Sequence, residues 1–247
     1  MSLAQAPDDR SDELTDLRHD DRVWTAADGG GAARAGTSDP EPLAVTDGLV
    51  VETRRLLLRR PTGDDAKALA MLANDVHLAE NLGNLPHPYG IEDARVFIEN
   101  TEVTASRVNF GVYLKRDGGA DFVGTISLMP RDGEKFTIGY WIGRPYWGDG
   151  LATEAARAMV DLAFQRLDAP AVAGSARVTN GASRRVMEKC GFQYVGQGMG
   201  PSLFLRGMVP VDRFRLERRV WQSLKEWRDA SFDAGGIVDG AGLERMV

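Results

Sequence analysis

The chain has 247 residues, of which 43% are hydrophobic and 27% are charged, and its net charge is −6. No apolar run reaches about 18 residues, which excludes a membrane-spanning helix, and the single cysteine, Cys190, excludes an internal disulfide. Three scattered histidines, at 19, 77 and 87, offer no cluster of metal ligands. We therefore expect a cytoplasmic protein without a metal site.

The acidity is confined to the first 48 residues, which hold eleven acidic and four basic side chains, whereas residues 49–247 carry a net charge of +1. A neutral body predicts no direct binding to nucleic acid. Few large apolar side chains are present in the first segment, so we expect residues 1–48 to be a disordered acidic leader. Residues 49–229 then form one domain, and the glycine-rich residues 230–247 form a flexible tail.

Strand and helix patterns alternate along the domain. A short strand at Leu56–Arg60 stops at Pro61, and Thr62 with Asp65 gives a pattern like a capping box at the start of a helix. Ile91 to about Thr104 predicts a second helix, with its apolar residues on one face.

Three strands follow, separated by Asp-Gly turn sequences that are typical of hairpins, and they predict an antiparallel meander. They lie at Asn109–Lys115, Asp121–Met129 and Lys135–Ile142. The later pattern of helix, strand, helix and two strands predicts a mixed α+β sheet. These elements lie at Leu151–Leu167, Ala171–Val178, Ala182–Cys190 (ended by Gly191), Phe192–Val195 and Val211–Leu216.

A Gly-x-Gly turn, formed by Gly148 and Gly150, opens the longest predicted helix. The first N–H groups of a helix have no partner within it, the helix dipole is positive there, and glycine lets a phosphate approach closely. The turn therefore predicts an anion site, although two glycines in a plain strand-to-helix turn would look the same. Leu151-Ala152 exclude a Walker A loop, and Thr153 replaces the third glycine of a dinucleotide fingerprint.

Asn180 follows a predicted strand and precedes a predicted helix. Its side chain can cap that helix or bind an amide of a ligand, and capping is the commoner role of asparagine at such a position.

Taken together, the two stretches resemble the GNAT acetyltransferase superfamily and, within it, the branch of ribosomal-protein alanine N-acetyltransferases. The resemblance covers about residues 49–222 and rests on six segments: Glu52–Pro61, Gly139–Ile142, Tyr146–Ala155, Asn180–Ser183, Glu188–Phe192 and Val209–Arg218.

The resemblance implies a mixed, mostly antiparallel twisted sheet that is split by a V-shaped gap and flanked by about four helices. It implies that acetyl-CoA lies in this gap and that the acceptor is an amine, which includes a protein N-terminus. The cofactor-binding residues would be Trp141 and Ile142 for the pantetheine arm and acetyl carbonyl, Gly148, Asp149, Gly150, Leu151, Ala152 and Thr153 for the diphosphate, and Asn180 for the pantetheine arm. Ser183 would lie near the sulfur as the candidate catalytic residue.

Three positions depart from the family pattern. Pro145, preceded by Arg144, stands where Gln or Arg often precedes the Gly-x-Gly turn. Thr137 occupies a strand position that often carries a carboxylate. Met187 stands seven residues after Asn180, where many members have a tyrosine. The usual positions of the general base and general acid are therefore empty.

The expected reaction is direct acetyl transfer, with an N–H near Ile142 stabilising the oxyanion and with Glu80, Glu134 and His87 as candidate bases. The missing base and acid leave a second hypothesis open, a non-catalytic module that binds or senses acyl-CoA. A ribosome-associated interaction protein that uses the acidic leader is a third. The chain is expected to be a monomer or a homodimer.

Overall fold

The computed structural model describes residues 48–101, 103–131 and 134–234, without the side chains of 131, 134, 135 and 228–234. The predicted acidic leader therefore lies outside the described residues, apart from Gly48. Among the described helices, none has the length and hydropathy needed to cross a bilayer.

Eight strands and six α-helices make up the described chain, together with short 3-10 turns at Gly63–Asp65 and Arg144–Tyr146. The strands are β1 Val51–Glu52, β2 Leu56–Arg59, β3 Val108–Arg116, β4 Gly119–Arg131, β5 Glu134–Ile142, β6 Ala171–Arg177, β7 Gln193–Ser202 and β8 Gly207–Glu217. The helices are α1 Ala66–Ala73, α2 Val76–Ala79, α3 Ile91–Glu99, α4 Leu151–Gln165, α5 Gly181–Lys189 and α6 Arg218–Ala234.

The strands form one sheet in the order β1-β2-β3-β4-β5-β6-β8-β7, and every neighbouring pair is antiparallel except β5 with β6. This confirms the predicted α+β class and the three-stranded meander. One face of the sheet packs against α4 through a large apolar cluster, and the other face packs against α1–α3 through a second cluster. Burial of apolar side chains on both faces is the main stabilising contribution to this fold.

Local capping signals position several elements as expected. The Asp65 carboxylate accepts hydrogen bonds from the N–H (2.7 Å) and the hydroxyl (3.2 Å) of Thr62. Gly191 follows α5 with a φ of 88°, the left-handed conformation that glycine adopts at helix C-termini.

Three boundaries differ from the sequence-based expectation. Helix α3 ends at Glu99 instead of near Thr104, because the side chains of Asn100 and Thr101 bond the carbonyls of its last turn. The late strands form a hairpin, β7 and β8, much longer than predicted. Helix α6, which the sequence analysis did not predict, extends to Ala234 and thus across the expected start of the tail at residue 230.

The sheet opens between β5 and β6. The two parallel strands pair over three positions only, Phe136–Ile138 with Val172–Gly174. Beyond Ile138 the second half of β5 continues to pair with β4, while the second half of β6 continues to pair with β8. The strands therefore diverge into the V-shaped gap that the family resemblance implied.

Candidate functional site

The wall of the gap formed by β5 presents main-chain groups at alternate residues. Gly143 donates its N–H to the carbonyl of Val123 on β4 (2.8 Å), and the carbonyl of Trp141 is directed at Gly124 on the same strand. Because successive residues of a strand point their peptide groups to opposite sides, those of Tyr140 and Ile142 face the gap. The structure thus places Ile142 at the gap, whereas the main chain of Trp141 belongs to the β4–β5 ladder.

The carbonyl of Ile142 already has a partner, because the indole Nε1 of Trp147 donates to it. The ring of Trp147 nevertheless remains exposed beside the gap (46%). Of the main-chain groups of Ile142, the N–H is therefore the one still directed into the gap.

The Gly-x-Gly turn leads directly from β5 into α4. Gly148 and Gly150 have φ values of 90° and 76°, in the left-handed region that favours glycine, and Gly150 caps the helix without a side-chain hydrogen bond. The first helical bond runs from Glu154 N–H to Gly150 O (3.1 Å), so the N–H groups of residues 151–153 have no helical acceptor. Space around Gly148 is open, since an added Cβ would meet no atom within 4 Å. This turn, residues 148–153, is called the cradle below.

A charged brace connects the cradle to the start of the sheet. Glu154 accepts hydrogen bonds from the Thr53 hydroxyl (2.6 Å) and from the main chain (2.8 Å) and Nε (2.7 Å) of Arg55. Arg55 also donates from Nη1 to the carbonyl of Asp149 (2.9 Å). Burial alone would raise the pKa of Glu154, but the bonds from Thr53 and Arg55 outweigh it and lower this pKa below its ordinary value. The brace holds a guanidinium group beside the cradle.

The opposite wall of the gap is formed by the end of β6 and the first turn of α5. Asn180 caps α5, its Oδ1 accepting the N–H of Ser183 at 3.0 Å. This places the predicted Asn180 and Ser183 next to each other and leaves the amide Nδ2 of Asn180 outside the cap.

A tyrosine from the β5 wall reaches Ser183. The Tyr140 hydroxyl lies 3.0 Å from Ser183 Oγ and 3.3 Å from the carbonyl oxygen of Ser183. Burial raises the pKa of Tyr140 well above its ordinary value, and only part of this rise is offset by the bond to Ser183. The hydroxyl therefore carries its proton at neutral pH.

Two of the three candidate bases lie in the segment after α2, beside the end of β6 and the β7–β8 hairpin. The main-chain carbonyl of Glu80 accepts a bond from Arg177, the last residue of β6, and its carboxylate lies 3.6 Å from His77. The ring of His87 makes an edge contact with Phe204 in the hairpin, at 6.0 Å between centroids. The third candidate, Glu134, has its side chain outside the described part of the molecule.

The departures from the family pattern have defined surroundings. Arg144 pairs with Asp75, the cap of α2, at 3.2 Å and so extends away from the cradle. The Thr137 hydroxyl donates to the carbonyl of Ala173 in the paired part of β5 and β6 (3.4 Å). Met187 is buried against Gly174, at the point where the gap begins.

The sequence analysis did not identify Arg55 or Tyr140 as site residues. Arg55 is one of several basic residues near the start of the domain, with no pattern that distinguishes it from the others. Tyr140 was used in the sequence analysis only as part of the motif Gly139–Ile142, without a role of its own. Both meet their partners across long separations along the chain, 99 residues for Arg55 and Glu154 and 43 residues for Tyr140 and Ser183. No local signal in the sequence reports such contacts.

Within the described residues, no group of three or more His, Cys, Asp or Glu side chains could hold a metal ion. Cys190 is buried, and its thiol points at the carbonyl of Thr153 (3.8 Å), which agrees with its predicted role as a small core residue.

Comparison with known proteins identifies a matching family model and a relative of similar sequence. The model of the acetyltransferase (GNAT) domain matches residues 55–193. The Bacillus subtilis (strain 168) protein named "Putative ribosomal N-acetyltransferase YdaF" is 36% identical over 105 residues, a match that covers 41% of this chain and 57% of that relative.

Solved structures share the fold. A GNAT-family acetyltransferase from Bacillus anthracis superposes with a TM-score of 0.61 at 23% identity, covering 69% of this chain and 99% of that one. The ribosomal L7/L12 alpha-N-protein acetyltransferase RimL, solved with coenzyme A, superposes with a TM-score of 0.59 at 17% identity, covering 68% and 98%.

Proposed function

Because this chain belongs to the GNAT acetyltransferase family, we propose that it transfers the acetyl group of acetyl-CoA directly to a primary amine. The amine lone pair attacks the acetyl carbonyl carbon, the C–S bond breaks, and CoA leaves as a thiolate while the new amide loses a proton. The acceptor is a protein N-terminus or a small-molecule amine, and the similarity to YdaF favours the N-terminus of a ribosomal protein.

The observation that carries this proposal is the conjunction of the gap with the cradle. The strands β5 and β6 diverge beyond Ile138 and Gly174, and the open N-terminus of α4 follows β5 after a short turn. A ligand with a diphosphate at one end and a long amide-bearing arm at the other matches this arrangement. Acetyl-CoA is such a ligand.

The cradle is the proposed diphosphate site. Its N–H groups at Leu151, Ala152 and Thr153 lie at the positive end of the α4 dipole, and Gly148 and Gly150 leave the backbone uncovered. The guanidinium of Arg55 contacts the Asp149 carbonyl at the same end, and because its charge is paired with Glu154 its role is to position the turn.

The pantetheine arm would follow the β5 wall. Strand alternation favours the peptide group of Tyr140 as its partner, in place of that of Trp141, with the Nδ2 amide of Asn180 donating from the other wall. The N–H of Ile142 is the proposed donor to the thioester oxygen as negative charge develops on it.

A thiolate with a pKa near 8.5 leaves with little acid assistance, so a hydrogen bond from Ser183 is sufficient at the sulfur. Deprotonation of the incoming ammonium falls to Glu80, to His87 or to water. Most of the acceleration then comes from holding the two reactants in attack geometry.

A substitution at Asn180 can separate its role as a helix cap from its proposed role in binding the ligand. Asn180→Ser keeps a good capping oxygen but removes the amide donor. We expect the free energy of unfolding to change by less than about 0.5 kcal/mol and KM for acetyl-CoA to rise about 5–10-fold. Steady-state kinetics and urea unfolding measure the two effects. Asn100→Ser, at the end of α3, is the matched control and should leave KM unchanged.

The binding-module hypothesis retains support from the empty base position at Thr137. Calorimetric titration with acetyl-CoA, followed by assay of free CoA over a panel of amines and N-terminal peptides, discriminates between the two functions. Binding with amine-dependent CoA release supports the transferase. Binding without release on every acceptor supports the module, and no heat at sub-millimolar acetyl-CoA removes both.

A further inference from the structure

The hydroxyl groups of Tyr140 and Ser183 meet across the gap, and either of them can donate in the contact between the two oxygens. A carbonyl oxygen can only accept, so in the 3.3 Å contact with the Ser183 carbonyl the tyrosine is the donor. The same hydroxyl lies 3.0 Å from Ser183 Oγ. The single tyrosine hydrogen lies on the Ser183 side of the phenol and can be shared between the carbonyl oxygen and Oγ of Ser183.

The first turn of α5 is held on both sides of this serine. The N–H of Ser183 bonds to Asn180 Oδ1 at 3.0 Å, while its carbonyl and hydroxyl oxygens both lie against Tyr140. A serine hydroxyl has one hydrogen and two lone pairs. When Tyr140 donates to one lone pair, the serine hydrogen is left to be donated elsewhere.

We propose that Tyr140 is a positioning residue for acetyl transfer: its hydroxyl holds Ser183 so that the serine donates its hydrogen bond to the sulfur of the departing CoA. This inference rests on the proposed function, because it assigns a role within that reaction. Tyr140 acts through Ser183 and does not itself touch the reacting atoms.

No proton leaves the tyrosine in this scheme. The electron pair of the broken C–S bond stays on sulfur, the Ser183 hydrogen bond stabilises the resulting thiolate, and solvent later protonates it. The proton lost by the amine passes to Glu80, to His87 or to water. Burial keeps the Tyr140 hydroxyl protonated throughout, as its raised pKa requires.

Tyr140→Phe removes the hydroxyl and keeps the ring. We expect kcat to fall about tenfold, the value of one well-placed hydrogen bond, while KM for acetyl-CoA changes less than about twofold. The matched control is Tyr113→Phe, which removes a buried hydroxyl that bonds Asp65 (2.7 Å) on the opposite face of the sheet. This control should retain the wild-type kcat.

Two further readouts distinguish positioning from a general loss of structure. In a Ser183→Ala background, Tyr140→Phe should lower kcat by less than twofold, because residues that act through one another are not additive. The pH profile of kcat for Tyr140→Phe should parallel that of the wild type. Loss of one limb of the profile would make Tyr140 a proton donor and overturn the positioning role.

An unchanged kcat in Tyr140→Phe, or full additivity with Ser183→Ala, overturns this inference alone while the wild type stays active. A wild-type enzyme that binds acetyl-CoA but releases no CoA with any amine overturns the proposed function, and this inference with it.

Discussion

At the scale of single residues, Glu154 shows how one carboxylate organises the site. It lies in the first turn of α4, where its negative charge interacts favourably with the helix dipole. It accepts three hydrogen bonds from Thr53 and Arg55. Its side chain is 18% exposed, so these bonds are only partly screened by water. Through this carboxylate the turn between β1 and β2 is attached to the cradle.

Glu154→Gln should destabilise the fold by about 1–2 kcal/mol at pH 7, since a charged acceptor is lost while Arg55 is one-third exposed and partly solvated. Folding lowers the pKa of Glu154 below its ordinary value of 4.5. The ionised carboxylate therefore contributes its full stabilisation above pH 4.5, and this contribution is lost as the pH falls through the pKa of the folded state. Urea unfolding of both proteins should therefore show a difference that narrows below pH 4.5.

The control for this measurement is Glu92→Gln, whose carboxylate is 75% exposed and pairs with Arg95 on the helix surface. Such a pair contributes no more than about 0.5 kcal/mol. If Glu154→Gln lowers the free energy of unfolding no more than Glu92→Gln does, or by an amount that does not depend on pH, then the contacts of Glu154 with Thr53 and Arg55 do not stabilise the fold as proposed.

At the scale of elements, the turn from β5 into α4 depends on backbone conformation more than on side chains. Gly150 has a φ of 76° and serves as the helix cap, and a Cβ there would lie 3.8 Å from Arg55 Nη2, an ordinary contact. The requirement for glycine is therefore conformational and not steric.

Gly150→Ala should cost about 1–2 kcal/mol of stability, because the left-handed conformation is strained for a residue with a Cβ. Gly150→Asn should cost less, since asparagine tolerates this region better. Thermal and urea unfolding check both values. Gly63→Ala is the matched control: it also has open space around the added Cβ but no positive φ, and it should be neutral or slightly stabilising.

At the scale of the whole molecule, the sheet consists of two halves joined at three residue pairs of β5 and β6, with α4 packed against strands of both halves. A ligand in the gap would contact both halves at once. It would bind the folded state and not the unfolded chain, and so it would stabilise the entire domain.

Acetyl-CoA at one hundred times its dissociation constant should therefore raise Tm by about 5–10 °C. Differential scanning calorimetry measures this shift. Adenosine 3′,5′-bisphosphate at the same concentration lacks both the pantetheine arm and the second phosphate of the diphosphate, and it should produce a clearly smaller shift. Equal shifts for the two ligands would place the binding energy outside the gap.

Several elements could be predicted because their signals are local. The capping pair Thr62 and Asp65, the terminating Gly191 and the Asp117-Gly118 turn between β3 and β4 each depend on residues within a few positions of one another. The Gly-x-Gly turn belongs to the same group, since its left-handed glycines are required by the turn itself.

Helix α6 and most of the length of β7 were not predicted, because tertiary contacts create them. Helix α6 is held by Trp221, which stacks on Phe164 (5.1 Å) and donates to Asp161 (2.6 Å) on α4. In β7 the glycines suggest a loop, but Gly198 pairs with Val211 of β8 and lies against the guanidinium of Arg213, which would have to move to admit a Cβ. Gly198 is therefore a strand residue and not part of a turn.

The sequence by itself determined the order of the elements from β2 to β8 except α2, the glycine cradle at the start of α4 and, through its motifs, the family. Only the tertiary structure decided where β5 and β6 part, which peptide groups of β5 face the gap, and that Tyr140 meets Ser183 there. The physical reason is range: backbone conformation and capping follow from neighbours in the chain, whereas the divergence of two strands and a contact over 43 residues depend on how the entire sheet packs against its helices.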